Sequence, residues 1–400
     1  MLSSGEILYP ASAVVVIMDP AHGSQRFYRQ HTDDVVCLAV HPMGTIVASG
    51  QVGQKASICV FDTQYGSKGA GETSSATGQT RAPKHLVKLR NAHHKCVQTV
   101  AFSADGHLLC SSGGDDYHTV SVWDWNRKPA IKLCEARGSN TDIHSLQFNP
   151  VRMLGIGEVG PKSITDAFYT LAFCGDKMLK FWTLQVYEKP KELDVGKKTK
   201  DDFEFRLEGR TAPFRSFDEK SGYKVSVPPT SISAIAYDER GYCWCAAASG
   251  HILVYEQAKD RSDPGRVDYY AAVYGAGILP CKPDSTLLAV YEANDSVRSP
   301  LTAIVMEPNS SAGGGNRFAT ADERGLISVW EHEEELPFNP KRVRATSVKL
   351  ATDGFPVSLS WTKDGEAGSP QLLAGTSANS ILAVSLSDSA DARPRRLMKS

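Results

Sequence analysis

An all-β, seven-bladed propeller is the fold this sequence predicts, and three observations predict it. A phrase of three short apolar runs repeats, with a small-residue break after the second run and an aromatic-acid close. Its first copy runs through residues 31–42, 46–50 and 57–62, and its second through residues 94–103, 108–113 and 119–124. Three short strands and a turn rhythm of this kind are the sequence signature of a propeller blade. The rest of the chain is built from similar runs rich in Val, Ile, Leu and Ala, bounded by Gly, Asp, Asn, Ser and Pro, and nothing in it sustains a 3.6-residue period. Finally, residues 5–30 hold two apolar runs with no first half, which points to a ring whose last blade is closed by N-terminal strands, removing an exposed sheet edge.

The units follow in order. Residues 31–90 give the first blade, with the outer strand near residues 85–89. Residues 91–140 give the second, with residues 131–135 outside. The third unit, 141–184, runs from Ile143 through Cys174 to Trp182. The fourth, 230–273, begins at Ser231 and closes at Tyr255-Glu256. Units 274–350 and 351–390 follow, the first closing at Trp330-Glu331. Residues 267–278 and 287–291 also read as strands, either an outer strand or part of a degenerate blade. Three insertions break the rhythm: the Gly/Ser/Thr-rich stretch 63–83, the long charged stretch 185–229, and the loop 307–316. A basic tail, 391–400, ends the single domain. The closing pair decays from Trp123-Asp124 to Phe61-Asp62, Trp182-Thr183 and Tyr255-Glu256, so the repeat is irregular.

Bulk composition excludes several function classes. The chain has 400 residues, 41% hydrophobic and 22% charged, with a net charge of -1, so a bulk nucleic-acid partner is not expected. The apolar stretch at residues 13–18 is too short to span a bilayer or serve as a signal core, and Glu6 precedes it where positive charge belongs. The sequons at Asn294 and Asn309 matter only in a secreted protein, and nothing in the sequence points to secretion. Cys37, Cys59, Cys96, Cys110, Cys134, Cys174, Cys243, Cys245 and Cys281 lack framework spacing and read as free thiols in a reducing compartment.

Candidate chemistry is sparse. Cys243 and Cys245 share a strand face, but no second Cys/His pair completes zinc spacing. His93 and His94 are adjacent, and adjacent strand residues face opposite ways. Asp33-Asp34 and Asp115-Asp116 fall in expected turns, where Asp is turn chemistry. There is no P-loop, G-x-S-x-G or G-x-G-x-x-G sequence, so no enzyme, cofactor, metal or small-molecule substrate is expected. His31, His94, Asp176 with Trp182, and Asp322 with Trp330 read as members of buried networks that lock blades. The basic clusters are the candidate partner-binding residues: Lys189, Lys191, Lys197, Lys198 and Lys200 in the long insertion, Lys341, Arg342 and Arg344 before the last unit, and Arg393, Arg395 and Arg396 in the tail. Exposed cations in loops steer toward acidic partners, although they also simply solvate the loops that carry them.

One resemblance is specific. Gly5-Glu6-Ile7-Leu8-Tyr9, residues 11–16, Gln25-Arg26-Phe27-Tyr28, His31-Thr32-Asp33, His41-Pro42 and Ala48-Ser49-Gly50-Gln51 together resemble the echinoderm microtubule-associated protein-like family. Val122-Trp123-Asp124-Trp125, Phe181-Trp182 and residues 373–382 agree. The resemblance implies an atypical WD40-like propeller, matching the first of the family's two tandem propellers. It also implies a non-enzymatic scaffold that binds tubulin and microtubules, with cytoskeletal or axonemal proteins as partners, in the cytoplasm and cytoskeleton and in the cilium or flagellum. No nucleic-acid or membrane partner is implied. The other class compatible with the fold is a general WD-repeat adaptor of a cytosolic protein complex.

Overall fold

The computed structural model describes residues 2–64, 82–150, 153–154, 167–188, 203–217, 224–257, 285–293, 299–308, 317–333, 340–362, 371–384 and 394–399. These residues form seven blades, almost wholly of antiparallel strands. The N-terminal sheet is β1 (Ile7–Ala11), β2 (Val14–Asp19) and β3 (Ser24–Tyr28). The first four-stranded blade is β4 (Val35–Val40), β5 (Ile46–Gln51), β6 (Ala56–Asp62) and β7 (Lys84–His93). The second is β8 (Val97–Phe102), β9 (Leu109–Gly113), β10 (Val120–Asp124) and β11 (Ile131–Ala136). The third contains β12 (Ile143–Phe148), the short β13 (Met153–Leu154), β14 (Ala167–Gly175), β15 (Met178–Glu188) and β16 (Phe203–Thr211), in the order β12-β14-β15-β16 with β13 on β14. A separate hairpin, β17 (Arg215–Phe217) and β18 (Lys224–Ser226), follows. The fourth blade is β19 (Ile232–Tyr237), β20 (Tyr242–Ala247), β21 (His251–Gln257) and β22 (Ser285–Glu292). The fifth is β23 (Leu301–Met306), β24 (Arg317–Asp322), β25 (Leu326–Glu331) and β26 (Lys341–Ser347). A single helical turn, α1 (Leu350–Asp353), leads to the sixth: β27 (Pro356–Thr362), β28 (Gln371–Thr376), β29 (Ser380–Val384) and β30 (Arg395–Lys399).

Strand position in a blade decides what the sequence looks like. The two middle strands are sandwiched between neighbouring blades and buried on both faces; β9 and β10 are buried at every position. Such strands read as continuous apolar and small-residue runs. Outer strands have one wet face. In β26 exposed and half-buried residues alternate strictly, with Arg342 and Arg344 on the half-buried parity, where a long stem covers apolar surface while the guanidinium reaches water. Burial is concentrated between blades: Trp244, Phe318 and Trp330 pack where the fourth blade meets the fifth, and Trp123 and Trp125 join the first to the second.

Each inner strand carries one β-bulge near its start. The register slips between Val35 and Cys37, Val97 and Thr99, Ile143 and Ser145, Ile232 and Ala234, Leu301 and Ala303, and Pro356 and Ser358. A bulge adds local twist and re-aims one side chain. Several of these side chains reach the next blade: Gln98 Nε2 donates to Asp142 Oδ1 at 2.9 Å, His144 Nδ1 to the Ile232 carbonyl at 3.1 Å, and Thr302 Oγ1 to the Pro356 carbonyl at 2.6 Å.

The ring is closed differently from the sequence expectation. The C-terminal strands do not share a blade with the N-terminal ones, because β30 gives the sixth blade its own fourth strand. Residues 395–399 of the expected basic tail are therefore part of the sheet. The N-terminal strands form a sheet of their own, and β3 holds its outer position: it runs through His31 into β4 as β7 runs through His93 into β8. Among the described residues no strand holds the inner position of that sheet. The seam is made by side chains instead, with Ile7 and Met18 packed on Leu373 and Ala383, and Tyr9, Ile381 and Leu397 half-buried around them. The bulged residues of the two flanking inner strands, Val36 and Val357, are 48% and 46% exposed.

Two further segments differ from their sequence reading, and one open alternative is decided. The expected insertion 185–229 contains β16, the outer strand of the third blade. Residues 287–291 take the outer-strand alternative: they lie in β22, which pairs with β21 as the fourth strand of the fourth blade. Lys341, Arg342 and Arg344 lie in the outer strand of the fifth blade rather than in a connection before the sixth. Residues 267–278, and most of stretches 63–83 and 307–316, lie outside the described residues.

Candidate functional site

Several buried polar groups hold blades together. In the second blade Trp123 Nε1 donates to Ser111 Oγ at 2.9 Å, and Ser111 Oγ lies 2.8 Å from His93 Nε2. Burial, with Lys132 nearby, pushes the His93 imidazole down to about 4. A neutral ring can accept at Nε2, so the chain of donors runs Trp123 to Ser111 to His93. The first blade repeats this with His31, whose Nε2 lies 2.6 Å from Ser49 Oγ and whose Nδ1 lies 2.9 Å from Gln51 Oε1. There Phe61 replaces the tryptophan and stacks on Tyr28 at 3.8 Å.

The histidine of the second network is His93, not His94. His93 is buried and His94 exposed, since a one-residue shift along a strand moves a side chain to the opposite face. In the fifth blade Trp330 Nε1 donates to Thr320 Oγ1 at 2.9 Å, and Asp322 instead takes the Arg324 and Leu326 amides. Asp176 lies 3.8 Å from His144, not on Trp182, whose ring lies 4.1 Å from Lys180 Nζ. Asp115 accepts from the Tyr117 and Thr119 amides and the Thr119 hydroxyl, which is turn chemistry. Cys243 and Cys245 lie 3.9 Å apart, sulfur to sulfur, fully buried; burial raises the Cys245 thiol well above its ordinary value. Among the described residues no group of three or more His, Cys, Asp or Glu could hold a metal ion.

The expected partner-binding cations divide three ways. Lys189, Lys191, Lys197, Lys198, Lys200 and Arg393 lie outside the described residues. Lys341, Arg342 and Arg344 lie on β26, with Lys341 in register with Glu331 and Arg342 over the Trp330 ring at 5.9 Å. Arg395 and Arg396 lie on β30, the outer strand of the neighbouring blade. Arg395 is exposed, whereas Arg396 reaches back to Asp353 and the Thr352 carbonyl in α1, tying the last outer strand to the connection between blades. The structure thus puts two sequence-distant clusters on adjacent stretches of the rim.

Sequence reading passed over the cations of β7 and β3. Lys84, Lys88 and Arg90 lie on β7, and Lys88 Nζ donates to the Gln30 carbonyl at 3.0 Å. Arg29, just after β3, lies 4.9 Å from the Phe27 ring centroid. Large exposed apolar residues share these strands: Phe27 on β3, Leu86 on β7 and Val343 on β26. The sequence signal was cations two to four residues apart along half-exposed strands, a pattern recognisable after the outer strands are aligned.

The blade pattern and its networks define a WD-type β-propeller. The WD domain, G-beta repeat family matches residues 23–62 and 84–124. Each match begins at or next to an outer strand and runs through the first three strands of the following blade. Solved structures agree on the fold. RRP9 WD40 repeats align over 93% of this chain and 84% of that one, at a TM-score of 0.52 and 14% identity. A chain of the Mitotic Checkpoint Complex aligns over 94% and 83%, at a TM-score of 0.55 and 10% identity. Within this class the chain is similar to the echinoderm microtubule-associated protein-like proteins. Echinoderm microtubule-associated protein-like 1 of Rattus norvegicus is 27% identical over 276 residues, 65% of this chain and 26% of that protein. Echinoderm microtubule-associated protein-like 3 of Homo sapiens is 35% identical over 163 residues, 38% and 17% respectively. Echinoderm microtubule-associated protein-like 2 of Homo sapiens is 29% identical over 187 residues, 46% and 25%. The matches span about a quarter or less of these relatives.

Proposed function

We propose that this chain is a non-enzymatic scaffold that binds microtubules and, through them, cytoskeletal and axonemal proteins of a cilium or flagellum. The observation that carries the reading is the similarity to the three echinoderm microtubule-associated protein-like relatives, extending over 65% of the chain for the first. The architecture supports it. Buried His93 and His31 hold Ser111 and Ser49 of the following blades, so these four side chains act as fasteners rather than reactants. What the fold offers a partner is rim and loops, and the described cations of the candidate set, Lys341, Arg342, Arg344, Arg395 and Arg396, stand on the rim. A microtubule presents an acidic surface, which such a rim meets with complementary charge.

Co-sedimentation with stabilised microtubules tests this. The expected result is recovery of the protein in the pellet at micromolar tubulin, decreasing as salt rises. Recovery only in the supernatant across that range overturns direct microtubule binding and leaves a general WD-repeat adaptor.

A further inference from the structure

Positive charge on the rim is segregated. Following the blades round the ring, the outer strands β26, β30, β3 and β7 come from four consecutive blades. On β26 stand Lys341, Arg342 and Arg344, and on β30 Arg395, Arg396 and Lys399. On β3 stands Arg26, and on β7 Lys84, Lys88 and Arg90. None of the four strands contains an aspartate or glutamate. The other three outer strands are different. β11 pairs Lys132 with Glu135, β16 carries Arg206 and Arg210 against Glu204 and Glu208, and β22 carries only Glu292. The chain as a whole has a net charge of -1, so this is a local separation and not an excess.

Some of that charge is answered from within. Glu6 takes Arg26, Asp353 takes Arg396, and Asp62 and Glu331 stand in register with Lys84 and Lys341. In cross-strand register Lys88 stands opposite Cys59, Arg344 opposite Val329 and Arg395 opposite Ala383, so no acidic residue lies directly across the sheet from these three. Edge strands often carry cations to discourage sheet-to-sheet aggregation. That need is equal on all seven rims, yet three of them balance or reverse the charge. The basic rims also hold the exposed Phe27, Leu86 and Val343. Cations interleaved with apolar side chains make a surface that both steers and grips a partner, where a purely charged one steers only.

We propose that this arc, the outer strands of four consecutive blades from β26 round to β7, is a docking surface for an acidic polypeptide, an extended glutamate-rich segment laid along the rim. The proposal deepens the microtubule reading and rests on it for the identity of the partner in the cell. The flexible acidic tails of tubulin have this chemistry.

The test compares two charge reversals of equal size in the full chain. One is R90E/R344E/R395E on the arc. The other is K132E/R206E/R210E on the remaining rims. A fluorescent glutamate decapeptide and microtubules with and without their acidic tails are the probes, and thermal melting verifies folding. Arc reversal is expected to weaken decapeptide binding at least tenfold and the control reversal less than twofold. Removing the tubulin tails should weaken wild-type binding and leave the arc variant little changed. Equal loss in the two variants, or an arc variant that binds the decapeptide as wild type does, overturns the proposal. Should the arc variant melt early, R90Q/R344Q/R395Q replaces it, with at least a threefold loss expected and wild-type affinity refuting. Decapeptide binding through the arc with no microtubule binding would sink the microtubule reading and keep the arc. Microtubule binding indifferent to arc reversal would do the opposite.

Discussion

Replacing Ser111 with alanine tests whether buried donors and acceptors lock the blades. Ser111 is fully buried and stands between the Trp123 indole at 2.9 Å and the His93 imidazole at 2.8 Å. Removing its hydroxyl strands an indole N–H and an imidazole nitrogen, both nearly inaccessible to water. An orphaned buried polar group costs about 1–3 kcal/mol, so the expected loss is roughly 2–5 kcal/mol, against under about 0.5 for an exposed serine such as Ser24. Urea denaturation of wild type, S111A and S24A measures it. The double variant S111A/W123F sharpens it, because phenylalanine has no N–H to strand and the first blade already uses Phe61 in that place. S111A/W123F should lose at least about 1 kcal/mol less than the sum of the single losses. A loss for S111A below about 0.5 kcal/mol, or strict additivity with W123F, would refute the reasoning.

Two further outcomes follow from the same interior. His93 stays neutral in the folded state to about 4 but protonates near its ordinary value of about 6.5 when unfolded, so the unfolded state binds more protons between those values and stability falls as pH drops through that window. The expected contribution is about 3 kcal/mol between pH 6.5 and 4, read from denaturation midpoints of wild type against H93F; identical pH slopes would contradict it. G106A should lose roughly 2–4 kcal/mol, measured by thermal melting: Gly106 has φ +73°, and an added Cβ would fall 1.8 Å from Nε2 of the buried His41. That ring is edge-on to Phe102 and Trp125 and has little room to yield.

Legibility in the sequence tracked burial. The doubly buried strands were readable because constant burial leaves a constant apolar run, as in β5, β6, β9 and β10. Several outer strands were not. One wet face breaks the run with charge, so β16 read as an insertion, β26 as a connection and β30 as a tail. The His93 network was legible in kind but off by one residue, since two adjacent histidines give no periodicity to choose between them. The rim was legible only as separate clusters. Arg90 and Arg344 lie far apart in the chain, and only the closed ring makes their strands parts of one arc.

The N-terminal sheet gives the molecule a preferred fracture line. Elsewhere an inner strand continues the wall from blade to blade, with hydrogen bonds such as Thr302 to Pro356 stitching one start to the next. At the seam the contact among the described residues is apolar: Ile7 and Met18 against Leu373 and Ala383. The two-residue hairpin that joins Ala11 to Val14 turns the Pro10 nitrogen away from β2, and proline offers no N–H donor to a strand arriving there. Seven blades arranged in this way resemble a split washer more than a welded hoop. Heat or denaturant is expected to part the described seam before the blades that inner strands join, which hydrogen exchange of β1 and β2 against β9 and β10 would read.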